Sequence, residues 1–329
     1  MAPHQVSGSV LLSLPVSSPP PVSDRAVFSP LLCSVVQLTG LWSELPPELV
    51  SHWATTTSLT WIMDYADDVV LLAHKMDDIN SALEVFETTE SQLGLHVSWQ
   101  KTKIQNLGAG ESTPCLPVCG HSLEEVTEYT YLGSVQSTTG RCQPDVIRHI
   151  GIASTAMHSM NKVWRQTLLQ LQTKLRLYQT CILSILLYGS ETWTLLQEDL
   201  RKLEVFHMHS LRMIVGICWH VFVKNTEVVD RTNLPCVQDF IAKRRNSLFS
   251  HVVRLDDHTP AHHALSQVAA ARTGPRFGPG WRRRPGRPRH SWIQQIGDGT
   301  PFSIRAEWSK ARRCGHSGLT QWTSAVYAI

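Results

Sequence analysis

Two adjacent carboxylates stand between two short apolar runs, and this arrangement constrains the fold more than any other feature. Trp61-Ile62-Met63 precedes Tyr65-Ala66-Asp67-Asp68, and Val69-Val70-Leu71-Leu72-Ala73 follows it. Short apolar runs split by acidic residues predict two strands joined by a tight turn. Asp77 to Leu93 then reads as a helix. Asp77 or Asp78 caps its start, Ile79, Leu83, Phe86 and Leu93 share one face, and Gly94 stops it. Leu95 to Ser98 and Tyr129 to Leu132 are further strand candidates. Residues 1–58 show no sustained period. They are rich in Ser, Pro and Val, with Pro19-Pro20-Pro21 and Pro46-Pro47, and are expected to be largely loop.

The second half has helical periodicity. Val146, Ile150, Ala153, Met157, Met160 and Trp164 form one stripe, and Leu175, Tyr178, Ile182 and Ile185 a second. Leu200, Leu203, Phe206 and Ile214 make a third, so three helices can pack as a bundle. Arg272 to Arg289 holds four Gly, four Pro and seven Arg, which rules out a regular helix and leaves an extended basic segment.

Charge is unevenly distributed. Between Lys243 and Arg313 there are 15 Lys and Arg against 4 Asp and Glu, a net of +11, whereas the whole chain carries only +3. Such separation suggests that one end meets a polyanion. A hydrophobic fraction of 42% excludes a mostly disordered chain. No apolar run reaches the ~18 residues of a bilayer span, so no membrane partner is expected. Eight irregularly spaced Cys do not form a disulfide scaffold. The apolar stretch Val10 to Val16 contains Pro15 and follows no Lys or Arg, so it does not read as a signal peptide. An intracellular chain, nuclear or cytoplasmic, is the resulting expectation.

The acidic turn has its own chemistry. Two carboxylates at about 4 Å repel by roughly 1–4 kcal/mol, which a divalent cation removes. Two cations held ~3.5–4 Å apart can activate a 3′-hydroxyl and stabilise a leaving pyrophosphate. An Asp-Asp pair alone is weak evidence, because most such pairs are solvated turns. Cys115, Cys119 and His121, with Cys142 as a further ligand, resemble half a zinc site, but the spacing is not a standard one and zinc is disfavoured.

The surrounding segments make the case stronger. Met63 to Leu72 resembles the catalytic hairpin of reverse transcriptases, specifically those of non-LTR (LINE-type) retrotransposons. Further segments resemble the same family in the same order. Gly94 to Ser98 with Lys101 and Lys103 looks like its next palm segment, and Tyr131-Leu132-Gly133-Ser134 like its primer-grip hairpin. Thr173 to Leu177 and Leu186 to Trp193 look like its thumb. Arg244-Arg245 with His251, Val252 and Arg254, then Gly286-Arg287-Pro288-Arg289 with Trp292, look like its downstream helix and tail. The resemblance implies RNA-directed DNA polymerisation, with Asp67 and Asp68 holding Mg²⁺ or Mn²⁺ and Lys101 or Lys103 giving a proton to pyrophosphate. Tyr65 would pack beside the primer end, and Tyr131, Leu132 and Gly133 would seat the primer. An RNA template and a DNA primer or target are the implied partners.

The resemblance also shows what is missing. In the family, a third aspartate comes from an earlier strand, ahead of a Gln-Gly…Ser-Pro-Leu-Leu-Phe segment. Val22 to Cys33 is similar to that segment, with Asp24-Arg25 where Gln-Gly would be, and nothing before Asp24 is Asp or Glu. The fingers have no room either. Losing one of three carboxylates is expected to lower activity on the order of 10³-fold or more. A partner chain could supply the missing palm and fingers. A second reading is a non-enzymatic nucleic-acid binder that uses the thumb and the Arg-rich tail. Arg244, Arg245, Arg282, Arg283, Arg284, Arg287 and Arg289 are the expected contacts, with a flexible phosphate-binding tail preferred over minor-groove specificity. The tail also fits a nuclear import signal.

The expected architecture is α+β: an irregular segment over 1–58, with a possible palm remnant in it, and a partial antiparallel palm sheet with helices over 59–140. An α-helical thumb over 141–240 and a basic carboxy-terminal extension over 241–329 complete it.

Overall fold

The computed structural model describes residues 9–17, 61–65, 68–73, 76–92, 96–107, 120–218, 220–257, 259–273, 291–297 and 301–313. It is a mixed α and β chain that divides into two compact units, Met1–Arg141 and Cys142–Ile329.

The first unit is built on the acidic hairpin. Strand β2 (Trp61–Tyr65) pairs antiparallel with β3 (Asp68–Ala73), in register from Trp61 opposite Leu72 to Tyr65 opposite Asp68. Helix α1 (Met76–Gln92) packs on the sheet through Ile79, Ala82, Leu83 and Phe86, which join Val69 and Leu71 in one core. Leu93 and Gly94, expected to end this helix, lie outside the described residues.

The strand beside β3 is β1 (Ser9–Ser17), not a later segment. On its other side β1 pairs with β4 (His96–Val97) and β5 (Lys103–Leu107), and β6 (Glu124–Glu125) extends the sheet parallel to β5. The expectation of loop over residues 1–58 is therefore corrected for these nine residues. Pro15 explains why the strand is hard to read from sequence, since proline lacks the N–H that a central strand donates. The sheet accommodates it because β5 pairs with Ser9 to Ser13 and β4 with Val16 and Ser17. Pro15 falls in the gap between them, where no ladder bond is required on that side. The hairpin β7 (Glu128–Tyr131) and β8 (Ser134–Ser137) is a separate two-stranded sheet.

The second unit is helical. Helix α2 (Gln143–Ser159) carries the first expected stripe, with Val146, Ala153 and Met157 buried, and the short α3 (Asn161–Trp164) continues it to Trp164. Helix α4 (Leu171–Leu177) passes into a π-helical turn (Tyr178–Leu183) and then α5 (Ser184–Leu186), so the second stripe is not one regular helix. Helix α6 (Gln197–Val215) starts where the Asp199 carboxylate accepts the Leu196 N–H at 3.2 Å. It ends at Gly216, whose left-handed conformation (φ 79°) lets the Ile217 N–H reach the Arg212 carbonyl at 2.9 Å. Helices α7 (Asn225–Thr232), α8 (Val237–Arg254), α9 (Pro260–Thr273) and α10 (Pro301–Arg313) follow.

Helix α8 runs across the boundary expected at residue 240. Val237 and Ile241 belong to the core of α2 and α6, while Phe249, Val252 and Val253 belong to a second core with Ile293, Ile296 and Ile304. A change in charge composition near Lys243 therefore does not mark the end of a structural element. Among the described residues no helix is long and apolar enough to cross a membrane.

Candidate functional site

Paired strands flank the acidic turn, as its sequence predicts. Tyr65 and Asp68 form the closing pair of the β2–β3 ladder. Asp68 is half-buried at the start of β3; Ala66 and Asp67 lie outside the described residues. On the other side of β3, Pro15 of β1 stands opposite Asp68. Strand β1 reads Ser-Val-Leu-Leu-Ser-Leu-Pro-Val-Ser and contains no carboxylate.

The donor set can be weighed against a pair of divalent ions. The sequence offers Asp67 and Asp68; β1 carries no carboxylate, and Asp64 of β2 stands opposite Val69. Among the described residues, which exclude Asp67, no three His, Cys, Asp or Glu side chains converge as a metal site. Two neighbouring acids are fewer than the ligands that two hard cations require.

The expected lysines lie along the same sheet. Lys103 opens β5 and pairs with Ser13 of β1, two residues from Pro15. Strand spacing then separates its Cα from that of Asp68 by about 12 Å. Its ammonium forms an ion pair with Glu124 of β6. Lys101 is exposed in the turn before β5, where the Lys101 and Thr102 N–H groups both reach the Ser98 carbonyl at 3.0 Å.

Tyr131, Leu132 and Gly133 lie at the turn of the β7–β8 hairpin. Leu132 (φ 47°) and Gly133 (φ 83°) are both left-handed, which gives a two-residue turn whose twist suits a hairpin. A branched residue there is strained by roughly 1–2 kcal/mol. The buried Gln105 of β5 ties this hairpin to the larger sheet. Its amide donates to the Thr127 carbonyl at 3.1 Å and the Gln136 carbonyl at 2.9 Å. Sequence reasoning missed Gln105, because a lone Gln inside a strand looks like a solvent-facing residue.

In the second unit, Leu186 to Trp193 is a structural hub. Gly189 (φ 70°) turns the chain into a 3-10 segment (Ser190–Thr192). The Trp193 indole N–H donates to the buried Asp145 carboxylate at 2.7 Å, and the other Asp145 oxygen lies 3.4 Å from His149 Nε2. The structure places Arg244 and Arg245 against this hub. Arg245 is 6% exposed and donates to the Trp193 carbonyl at 3.0 Å. Arg244 donates to the Leu187 carbonyl at 2.8 Å and stands 4.0 Å from the Glu191 carboxylate. Their charges were expected to contact nucleic acid. Hydrogen bonding to carbonyls of this turn joins α8 to the hub, with Arg245 buried and Arg244 half-buried.

A second buried pair is Tyr178 and His207, with the Tyr178 hydroxyl 2.8 Å from His207 Nδ1. Burial lowers the His207 pKa to about 4, opposed by the Pro235 carbonyl, so the ring is neutral at pH 7. Burial also raises the Cys142 thiol to about 11, aided by the nearby Asp199 carboxylate, and its Sγ donates to the Thr194 carbonyl at 3.2 Å. His121 stacks on Trp99 at 4.5 Å, and Cys115 and Cys119 lie outside the described residues. So do Val22 to Cys33 and Arg282, Arg283, Arg284, Arg287 and Arg289.

No family model matches the chain. The chain is similar to an uncharacterized transposon-derived protein of Caenorhabditis elegans, 26% identical over 202 residues, covering 59% of this chain and 71% of the relative. That likeness supports a transposable-element origin for the sequence.

Proposed function

We propose that the chain is a remnant of a LINE-type reverse transcriptase that engages nucleic acid and does not polymerise on its own. One observation carries this reading: β1 lies in register beside the Asp68 strand and carries no carboxylate, which supports a site short of the third acid that the resemblance implies. The β2–β3 hairpin, the following helix and the β7–β8 turn support descent from a palm. The net +11 between Lys243 and Arg313 supports continued contact with a polyanion. Removing one member of a carboxylate triad costs orders of magnitude in rate, whereas phosphate contacts by Arg and Lys do not depend on it.

Fluorescence anisotropy with a labelled RNA–DNA primer–template, run alongside Asp67→Asn/Asp68→Asn, separates binding from chemistry. Both proteins are expected to bind with equal affinity. Absence of binding by the unaltered chain refutes the nucleic-acid reading. A large affinity loss in the double variant with Mn²⁺ present would restore the aspartates to a working metal site.

A further inference from the structure

Arg244 and Arg245 face the interior hub, yet the opposite side of α8 is open and cationic. Lys243, Asn246, Ser247, Ser250 and Arg254 follow one another at intervals of three, one, three and four, which puts them on a single face of a helix. They form one wall of a cleft of about 360 Å³ between α8 and α10. Gly297 lies at this cleft with φ 60°, and a Cβ there would meet Ser303 at 3.3 Å. The glycine thus permits the close approach of α10 that shapes the cleft.

The chemistry of the wall is specific. Lys243 and Arg254 are exposed, and among the described residues neither has a carboxylate within 4.0 Å. Between them stand one amide and two hydroxyls, all able to donate to phosphate oxygens. On the facing wall Glu307 is the one acid at the cleft, and Lys310 neutralises it at 3.8 Å. The eleven helical steps from Lys243 to Arg254 rise about 16 Å along the helix. The cleft lining carries no aromatic ring on which a base could stack.

From this geometry we infer that the α8–α10 cleft is a binding site for the phosphodiester backbone of a nucleic-acid strand, read without regard to sequence. Lys243 and Arg254 each neutralise a phosphate, and Asn246, Ser247 and Ser250 donate to the oxygens between them. The inference rests on the nucleic-acid reading above and deepens it by naming the site. An acidic peptide is the competing occupant. It is less favoured because the hydroxyl and amide donors between the two cations match a regular row of oxygens.

The test uses the full chain and a labelled 20-nucleotide single-stranded RNA of mixed sequence, with affinity measured across a salt series. Lys243→Ala/Arg254→Ala is expected to weaken binding at least tenfold near 0.15 M salt and to reduce the salt slope by about 1.4, the share of two single-strand phosphate contacts. Glu307→Gln is expected to tighten binding several-fold by removing the one acid. Both positions of the double variant are exposed, and an unchanged thermal melt shows that the fold is retained. Wild-type affinity and slope in the double variant, with the slope falling in Arg284→Ala/Arg287→Ala/Arg289→Ala, would overturn the cleft while leaving the nucleic-acid reading intact. No RNA binding by the unaltered chain would overturn both. Polyglutamate that displaces the RNA at equal charge concentration would assign the cleft to acidic peptides instead.

Discussion

His207 provides the most quantitative prediction. Its side chain is fully buried, in contact with the Tyr178 hydroxyl at 2.8 Å and beside the Phe240 ring. An ordinary histidine titrates near 6.5, and burial brings this one to about 4. Below pH 6.5 the unfolded chain takes up a proton that the folded chain refuses until near pH 4. The unfolded state therefore binds more protons in that window, and stability falls as pH falls through it. Linkage puts the loss at roughly 2 kcal/mol between pH 7 and pH 5, approaching about 3 kcal/mol by pH 4. Burial, followed by the Arg254 charge, also lowers the His251 pKa, which adds a slope of the same sign to wild type and variant alike. The assay is urea unfolding followed by tryptophan fluorescence at pH 5, 6 and 7, for the unaltered chain and His207→Leu. The stability difference between the two should shrink by about 2 kcal/mol on going from pH 7 to pH 5. Parallel pH curves for the two proteins would refute a neutral, buried His207.

Three further outcomes follow from particular contacts. Trp193→Phe removes the donor to the buried Asp145 carboxylate and should cost about 1.5–3 kcal/mol in denaturant unfolding; a loss under 0.5 kcal/mol would mean the carboxylate finds another donor. Gly216→Ala adds a Cβ that meets nothing within 4 Å but keeps a positive φ, so only backbone strain of about 1 kcal/mol is expected. Gln105→Leu strips the Thr127 and Gln136 carbonyls of their donor and should speed amide exchange across the β7–β8 hairpin more than in β3.

Legibility from sequence followed periodicity. The β2–β3 hairpin is readable as two short apolar runs split by acids, and helix α1 and the α2 stripe because each buries one face at the helical period. Strand β1 escapes because Pro15 argues against a central strand, and only the pairing pattern reveals the gap that tolerates it. The π-helical turn at Tyr178–Leu183 escapes because its apolar spacing also fits a regular helix. Arg244 and Arg245 show the limit of charge counting. Composition counts them as surface charge, while carbonyls exposed by the turns around Leu187 and Trp193 draw their guanidinium groups inward. The candidate site was legible in its hairpin and not in its neighbour: sequence places an Asp-Asp pair at a bend, but only the register shows which strand lies next to it.

Single-turnover primer extension decides the main point. The full chain, in excess over a labelled primer–template with Mg²⁺ or Mn²⁺, should add no more nucleotide than Asp67→Asn/Asp68→Asn does. Template-directed addition that disappears in the double variant would show that the pair catalyses without a carboxylate from β1, and would contradict the account.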